Sequence, residues 1–400
     1  MAIGLVAAAA LWASPARASV DSTVAAGPGG TAAFAWSQLA GSSEPVFERT
    51  LGGDGTLGRP QQVSYALRST VGQAIGEDVA GDAVIAWISN DAAAQAIYVR
   101  ERAPDGTLGA VAPVTPAGVT AVDLRMAVEP DGDAFLVWRR MLSGKNVIQG
   151  RRRAHGGALG PILTLSYAGA HAIHPDVAVT PGGAATVVWA RATTDFKLYV
   201  QTRTVAPDGT LSATQALSPA RPQLQGPAVT VSDAGKAVAG WIRFDGEQWM
   251  VEARTRAADG TLGLRKAISA AGPDLSDLVV AGDGAGRTLF AWTETPDNSV
   301  ARFRFRSTAG ALGPVTDMTA GSAAEPRASF DADGNAILAW TAVAGDRAVQ
   351  MRRRALSGAL GTVRTVSEDG TDSASPSLAV DAAGKATIAW RLADGTLFAR

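Results

Sequence analysis

The chain has 400 residues, of which 46% are hydrophobic and 18% charged, with 45 glycines, 20 prolines and no cysteine. This composition excludes a disordered chain, a collagen-like chain and a disulfide framework, and the lack of cysteine also excludes thiol catalysis and cysteine-based zinc sites. The formal net charge of -1 argues against a nucleic acid or an anionic membrane bound through a broad basic surface.

The first 18 residues resemble a secretory signal. Residues 3–12 form an apolar run, and residues 16–18 read Ala-Arg-Ala, a typical cleavage pattern. We therefore expect export, so that the protein is secreted or attached to the cell surface. No later segment approaches the roughly 18 uninterrupted apolar residues of a membrane span, so we expect no transmembrane segment.

Tryptophans recur along the chain at intervals of 48 to 52 residues, at Trp36, Trp87, Trp138, Trp189, Trp241, Trp292, Trp340 and Trp390. A glycine stands six residues before each of them, at Gly30, Gly81, Gly132, Gly183, Gly235, Gly286, Gly334 and Gly384. Each glycine predicts a tight turn before a tryptophan-bearing strand. The period therefore divides the chain into eight repeats of about 50 residues.

A second turn recurs later in the repeats, with the sequence Asp-Gly-Thr-Leu-Gly at residues 54–58, 105–109 and 259–263 and degenerate copies elsewhere. Short β-type segments separate the turns. In the fourth repeat we predict four strands, at residues 176–180, 185–189, 198–204 and 213–217. Each repeat is thus predicted to be a four-stranded antiparallel unit.

A single unit of about 50 residues buries too little apolar surface to be stable alone, so the units must pack on one another. Four-stranded units of this length and number are typical of a β-propeller. We predict an all-β fold, an eight-bladed β-propeller in which residues 19–400 form one domain. A β-solenoid remains the alternative, although its coils usually have a shorter period.

The last repeat reaches Arg400 without a fourth strand of its own. Residues 11–17 resemble residues 217–221, which follow a predicted fourth strand. The N-terminal stretch therefore has a second interpretation, as the outer strand of the eighth blade. This closure and cleavage after residue 18 are alternatives.

We expect the repeat tryptophans to pack between blades, because their strands carry bulky residues on both faces. Each repeat also carries an arginine in its third strand, at Arg49, Arg100, Arg151, Arg203, Arg254, Arg304, Arg352 and Arg400. These arginines are expected to lie over small cross-strand neighbours, with their guanidinium groups on acceptors at the blade edge. In the last repeat a two-residue hairpin at residues 394–395 would pair Arg400 with Ala389.

The turn at residues 105–109 resembles a degenerate Asp-box, the Ser-x-Asp-x-Gly-x-Thr-Trp pattern of sialidase-like propellers. The serine is absent, and the tryptophan is replaced in all seven copies of the turn. The resemblance implies a propeller whose boxes are structural, and it makes a sialidase-like glycoside hydrolase the alternative function. The arginine triad, the nucleophilic tyrosine and the catalytic acid of that family match no residues here.

In a propeller, the connections between second and third strands share one rim with the connections between blades, and here they vary among the repeats in length and content. Trp249 lies on this rim outside the 50-residue register. Aromatic faces beside acids and imidazoles suit a sugar ring, so we predict a ligand site there. The candidate residues are Trp249, Phe244, Asp245, Glu247, Asp195, Phe196, His171 and His174.

These observations together predict an exported, non-catalytic binding protein. Its partner is expected to be a glycan or an extracellular protein, held on the variable rim. We expect a monomer that uses no cofactor and no metal ion and binds no nucleic acid.

Overall fold

The computed structural model describes residues 9–11, 22–38, 43–65, 68–91, 94–167, 169–272, 274–295, 299–343, 345–368, 370–392 and 397–400. Within these ranges the chain forms 32 β-strands and one 3-10 turn at Pro28–Gly30. No helix in the same ranges is long and apolar enough to cross a membrane. Strand β1 comprises Ala9–Leu11, and the other strands fall into eight groups in chain order, called blades 1 to 8 here.

Blades 1 to 4 each take four consecutive strands: β2 (Ser22–Ala26), β3 (Ala32–Ser37), β4 (Val46–Leu51) and β5 (Gln61–Gln62); β6 (Ser69–Glu77), β7 (Ala83–Asp91), β8 (Ala94–Arg102) and β9 (Ala112–Pro113); β10 (Ala121–Val128), β11 (Ala134–Leu142), β12 (Lys145–Arg153) and β13 (Leu163–Thr164); β14 (Ala172–Val179), β15 (Ala185–Ala192), β16 (Leu198–Val205) and β17 (Gln215–Ala216). Blades 5 to 8 take the rest: β18 (Gln223–Val231), β19 (Ala237–Phe244), β20 (Trp249–Arg256) and β21 (Lys266–Ala267); β22 (Leu275–Gly282), β23 (Thr288–Glu294), β24 (Val300–Arg306) and β25 (Leu312–Asp317); β26 (Ala323–Phe330), β27 (Ala336–Ala342), β28 (Ala348–Arg354) and β29 (Arg364–Thr365); β30 (Ser373–Val380), β31 (Ala386–Leu392) and β32 (Leu397–Ala399).

Each blade is an antiparallel sheet in which strands consecutive in the chain are neighbours. The first strands of successive blades contact one another all the way round, from β2 and β6 to β30 and β2. The described strands therefore form a closed ring with the first strands at its centre. The prediction of an all-β, eight-bladed propeller is confirmed, and the solenoid alternative is wrong.

The repeat tryptophans fill the interfaces between blades. All eight are at most 3% exposed. Trp138 packs with Val84 of the preceding blade, and Trp36 packs with Leu397 of blade 8, which closes the ring. Burying one such side chain removes about 200 Å² from water and contributes up to roughly 5 kcal/mol to stability.

The glycine turns join first and second strands. Gly334 has a φ of +81°, a backbone conformation that a side chain would strain. Oδ1 of Asp331 accepts a hydrogen bond of 2.8 Å from the backbone nitrogen of Asn335 and so closes the turn from within. The spacing between this turn and the tryptophan is constant because one backbone hydrogen bond closes the turn in every blade, from the residue three positions before the glycine to the residue after it.

The repeat arginines tie neighbouring blades together. Nε of Arg151 donates to the carbonyl oxygen of Gly160 in its own blade at 2.6 Å, and Nη1 donates to the carbonyl oxygen of Val114 in blade 2 at 2.7 Å. The expected acceptors at the blade edge are thus present, but the expected small cross-strand neighbour is wrong, because the bulky Leu136 lies opposite Arg151. The same pair of bonds, one within the blade and one to the preceding blade, recurs at Arg100, Arg203, Arg254, Arg304 and Arg352.

The register of the last hairpin differs from the prediction. Arg400 exchanges two backbone hydrogen bonds of 2.9 Å with Ile388, so the predicted pairing with Ala389 is wrong. An odd number of residues lies between Ile388 and Arg400. In a hairpin with a two-residue turn, paired residues always enclose an even number. The pairing is therefore shifted by one position from the one predicted. The predicted turn itself, at residues 394–395, lies outside the described residues.

Strand β1 is the fourth strand of blade 8. Ala9 lies opposite Ala399, and Leu11 lies opposite Leu397. This pairing covers the edge of β32, whose backbone groups would otherwise face solvent. Removal of residues 1–18 on export, and the domain boundary at residue 19, stay predictions.

Candidate functional site

The ring has two rims of different construction. The glycine-turn rim holds the turns between first and second strands and those between third and fourth strands. The variable rim holds the hairpins between second and third strands and the connections between blades. In blade 3 the hairpin on the variable rim is tight, because pairing continues to Leu142 and Lys145 and leaves only Ser143 and Gly144, both with positive φ, as the turn.

Trp249 begins β20 on the variable rim. It lies opposite Phe244, and the two ring centroids are 5.0 Å apart. Its backbone exchanges two hydrogen bonds of 2.9 Å with Gly272. The indole packs on the apolar cluster between blades 5 and 6, which includes Ile242 and Trp292. Packing therefore accounts for a tryptophan outside the repeat register, and its role in ligand binding stays a prediction.

Asp245 and Glu247 lie in the hairpin that precedes Trp249. Oδ1 of Asp245 accepts hydrogen bonds from the backbone nitrogens of Gln248 and Glu247 at 3.0 and 3.1 Å, and Oδ2 lies 2.9 Å from Nη1 of Arg243. These hydrogen bonds hold the pKa of Asp245 well below its usual range. Asp245 is therefore ionised and already partnered, while the Glu247 side chain is exposed.

The hairpin between β15 and β16 carries Asp195 and Phe196. Oδ2 of Asp195 lies 2.8 Å from Nζ of Lys197, and Oδ1 accepts a hydrogen bond of 2.5 Å from the hydroxyl of Thr193. These hydrogen bonds lower the pKa of Asp195 to about 2. Phe196 is 81% exposed and has a left-handed φ of +61°. The hairpin thus presents a bare aromatic ring beside an ionised carboxylate.

The two candidate histidines lie in different surroundings. Nδ1 of His171 accepts a hydrogen bond of 3.2 Å from the backbone nitrogen of Asn146, which links blade 4 to blade 3. His174 lies in a bulge of β14, where desolvation lowers its pKa. Among the described residues, no hydrogen bond, ion pair or ring contact joins Trp249 to the candidates of blade 4. The predicted residues therefore form two groups, one in blade 5 and one in blade 4.

The bulge at His174 belongs to a set that the sequence analysis missed. The residue fifteen positions before a repeat tryptophan lies at the bulge of each first strand from blade 2 to blade 8, at Gly72, Asp123, His174, Gly226, Asp277, Glu325 and Ser375. Oδ2 of Asp123 lies 2.7 Å from Nε of Arg139, and Oε2 of Glu325 accepts a hydrogen bond of 2.7 Å from Thr341. These two carboxylates near the axis thus each have a partner on the second strand of their own blade. The constant offset from the tryptophan is the sequence signal for them.

Tyr167 is a second residue that the sequence analysis missed. It lies in the connection between blades 3 and 4, and its side chain is 75% exposed. Nη1 of the buried Arg191 donates a hydrogen bond of 2.6 Å to the Tyr167 carbonyl oxygen, and the guanidinium carbon lies 5.5 Å from the ring centroid. The guanidinium therefore supports the ring by a cation–π contact.

A similar arrangement occurs two repeats earlier. Tyr65 is 43% exposed, and the guanidinium carbon of Arg68 lies 5.2 Å from its ring centroid. Tyr65 and Tyr167 are two of the four tyrosines in the chain and occupy equivalent positions in their repeats. That shared register is the sequence signal that would have identified both rings on the variable rim.

Two carboxylates flank an arginine between blades 1 and 2, away from the variable rim. Nε of Arg102 lies 3.5 Å from Oε2 of Glu48, and Nη2 lies 3.6 Å from Oε1 of Glu77. Burial raises the pKa of Glu48 to about 7, against the opposing effect of Arg102. Glu48 is only 1% exposed, so this group bears on stability rather than on contact with a ligand.

Comparisons with known proteins place the chain among others of similar fold. No protein-family model matches it, and no curated protein matches it. A lectin from Burkholderia pseudomallei aligns over 87% of this chain and 99% of its own, with a TM-score of 0.57 and 13% identity. A polysaccharide lyase described as an ulvan lyase aligns over 86% of this chain and 97% of its own, with a TM-score of 0.50 and 9% identity. A Hadza microbial sialidase aligns over 80% of this chain and 77% of its own, with a TM-score of 0.43 and 11% identity. The first two similarities show a shared fold.

Proposed function

We propose that this protein is a carbohydrate-binding β-propeller that holds its ligand on the variable rim without catalysis. The observation that carries the proposal is Tyr167, an aromatic ring 75% exposed and supported by the buried guanidinium of Arg191. A ring held in this way loses little conformational freedom on binding, and its open face stacks on the C–H face of a sugar.

Polar groups that suit sugar hydroxyls lie in blade 4, whose Arg191 contacts Tyr167. The hairpin between β15 and β16 offers the paired carboxylate and ammonium of Asp195 and Lys197 beside the exposed Phe196 ring. Its base is tied to His171, whose carbonyl oxygen accepts a hydrogen bond of 2.8 Å from Ala192. An apolar face combined with convergent polar groups is the usual composition of a sugar site.

The low pKa values of two acids on the variable rim favour binding over hydrolysis. A general acid that works at neutral pH needs a raised carboxyl pKa, as in glycosidases. The pKa of Asp195 is lowered to about 2 by its hydrogen bonds to Lys197 and Thr193, and hydrogen bonds also hold the pKa of Asp245 low. These two rim acids are therefore suited to accept hydrogen bonds and unsuited to donate a proton.

The proteins of similar fold support a carbohydrate as the ligand. One is a lectin, and another is a polysaccharide lyase seen with a saccharide of GlcA and Rha3S units. Their low identity to this chain leaves the particular sugar open, so the proposal concerns the ligand class.

A glycan array probed with the purified chain tests the proposal. The wild type is expected to retain a defined set of glycans. Tyr167→Ala is expected to bind the same glycans with an affinity lower by about tenfold or more, the equivalent of one lost stacking contact. Leu264→Ala is the matched control, because it removes a side chain that is 84% exposed on the glycine-turn rim. An array that retains no glycan contradicts the proposal.

A release assay on each retained glycan separates binding from hydrolysis. Intact glycan is expected after prolonged incubation with the wild type. Released sugar would establish the sialidase-like hydrolase instead. If a variant of a single carboxylate on the variable rim then failed to release sugar, that carboxylate would be identified as the catalytic acid.

We also propose that the protein is exported. The apolar run at residues 3–12 and the small residues at 16–18 support this. N-terminal sequencing of the protein recovered outside expressing cells is expected to begin at Ser19, in which case the exported form lacks β1 and blade 8 keeps three strands. Protein that is retained inside the cells and begins at Met1 contradicts export by cleavage.

A further inference from the structure

Three acidic side chains of blade 2 meet a histidine of blade 3 on the glycine-turn rim. Oδ2 of Asp78 lies 3.7 Å from Nδ1 of His155, and Oε1 of Glu101 lies 3.8 Å from the same nitrogen. One oxygen or nitrogen each from Asp78, Asp82 and His155 all lie within 4.8 Å of one another. The group is on the rim opposite Tyr167 and has no part in the proposed carbohydrate site.

Two carboxylate oxygens in this group lack hydrogen-bond partners. Oε1 of Glu101 is buried and has none. The Asp78 side chain is 2% exposed, and among the described residues its Oδ2 accepts no hydrogen bond. Both oxygens lie too far from Nδ1 of His155 for a hydrogen bond. A metal ion about 2.1 Å from each ligand atom would span separations of this size.

The other oxygen of each carboxylate is already held. Oδ1 of Asp78 accepts hydrogen bonds of 2.9 Å from the backbone nitrogens of Ala80 and Asp82. Oε2 of Glu101 accepts a hydrogen bond of 2.8 Å from Nη2 of Arg153. Partners of this kind fix the orientation of metal-binding carboxylates, and here they direct the remaining oxygens toward the imidazole.

Gly132 keeps the space between the ligand atoms open. A Cβ atom at this position would lie 2.3 Å from Nδ1 of His155 and 2.7 Å from Oδ2 of Asp78. Any other residue would therefore push the imidazole and the carboxylate apart. The positive φ of +89° suits glycine here, and the missing side chain leaves a gap between Nδ1 of His155 and Oδ2 of Asp78.

We propose that Asp78, Asp82 and His155 bind one divalent transition-metal ion that links blade 2 to blade 3, with the Glu101 carboxylate beside the imidazole. One imidazole nitrogen with carboxylate oxygens suits Zn²⁺, Mn²⁺ or Co²⁺, whereas Ca²⁺ requires six or more oxygen ligands. Asp82 is partly exposed, so the ion reaches the site from solvent and water completes its coordination.

Titration of the untagged protein with zinc chloride in a calorimeter tests the site. The wild type is expected to bind one ion and to melt at a higher temperature with zinc than without it. His155→Ala is expected to weaken binding at least about tenfold and to remove the shift in melting temperature. The substitution is mild, since blade 5 has Ala258 at the equivalent turn position. His171→Ala, which removes a histidine on the variable rim, is the control and is expected to bind zinc as the wild type does.

Two further measurements keep the test independent of folding. Asp82→Asn preserves the side-chain volume at a partly exposed position and is expected to weaken zinc binding while leaving the melting temperature without metal unchanged. Co²⁺ is expected to give visible absorption bands in the wild type that are absent in His155→Ala. The site is overturned if zinc fails to bind at one ion per chain, or if binding is the same in His155→Ala. Glycan binding through Tyr167 is expected in either case.

Discussion

Nη1 of Arg151 donates a hydrogen bond of 2.7 Å to the carbonyl oxygen of Val114, which belongs to the preceding blade. Nε of the same guanidinium donates to Gly160 within its own blade. One side chain thus satisfies a carbonyl on each side of a blade interface, and the equivalent arginines do so at successive interfaces. Only the forked guanidinium offers two donors in this arrangement.

Arg151→Ala is therefore expected to lower the free energy of unfolding by about 3 kcal/mol, since it removes two hydrogen bonds from a charged donor, each worth about 1.5 to 3 kcal/mol. Arg151→Lys is expected to recover less than half of the loss, because an ammonium cannot reach both carbonyls. Urea denaturation measures both. Arg59→Ala, at an exposed position, is the control, and a loss in Arg151→Ala no larger than in this control would contradict the interblade role.

Trp189→Ala is expected to lower the free energy of unfolding by about 3 to 5 kcal/mol, because it opens a cavity at a fully buried interface. Trp249→Ala is expected to lower it by a smaller amount, since Trp249 is only partly buried and packs at the edge of its cluster. Equilibrium unfolding of the two variants gives the comparison. A Trp249→Ala variant as stable as the wild type would show that packing does not explain this residue and would strengthen its candidacy as a ligand contact.

Because Glu48 is buried, the free energy of unfolding is expected to fall as the pH rises. Burial raises its pKa from 4.5 to about 7, so the folded state keeps a proton that the unfolded state has lost. Its contribution is greatest below pH 4.5 and declines as the pH rises to about 7. Glu48→Gln removes one of two such groups, since burial also raises the pKa of Glu77 to about 7, so the stability of the variant is expected to vary less across this window than that of the wild type. Glu368→Gln, at an exposed position, serves as the control; parallel pH profiles for Glu48→Gln and the wild type would refute the assignment.

Strand β1 is expected to stabilise the ring through its pairing with β32. Deleting residues 1–18 takes away the strand that pairs with β32 and leaves that edge unpaired. The melting temperature is expected to fall by several degrees, while the far-ultraviolet circular dichroism keeps its β-type shape. Equal melting temperatures with and without these residues would mean that β1 adds nothing to closure of the ring.

Much of the fold follows from the sequence because the repeat tryptophans and glycines keep a constant spacing. That spacing is imposed by one closed turn and one buried side chain in every blade, so it is visible without coordinates. The register of Arg400 was mispredicted because loop length, not strand pattern, sets the pairing of a hairpin.

The candidate site was predicted less completely. Trp249 stands outside the register because it fills an interface, whereas Tyr167 is exposed in a connection whose length and content vary. Only Tyr65 shares its position in the repeat, so the pattern in the sequence is much weaker than that of the tryptophans. Asp78 and His155 are far apart in the chain, and only the packing of blade 2 against blade 3 brings them together.

A crystal structure of the protein with a glycan retained on the array tests the central claim most directly. The account predicts a sugar ring stacked on Tyr167, with its carbons about 4 Å from the aromatic carbons and its hydroxyls within hydrogen-bonding distance of blade 4 side chains. A sugar bound on the glycine-turn rim, or on the variable rim without contact to Tyr167, would contradict it.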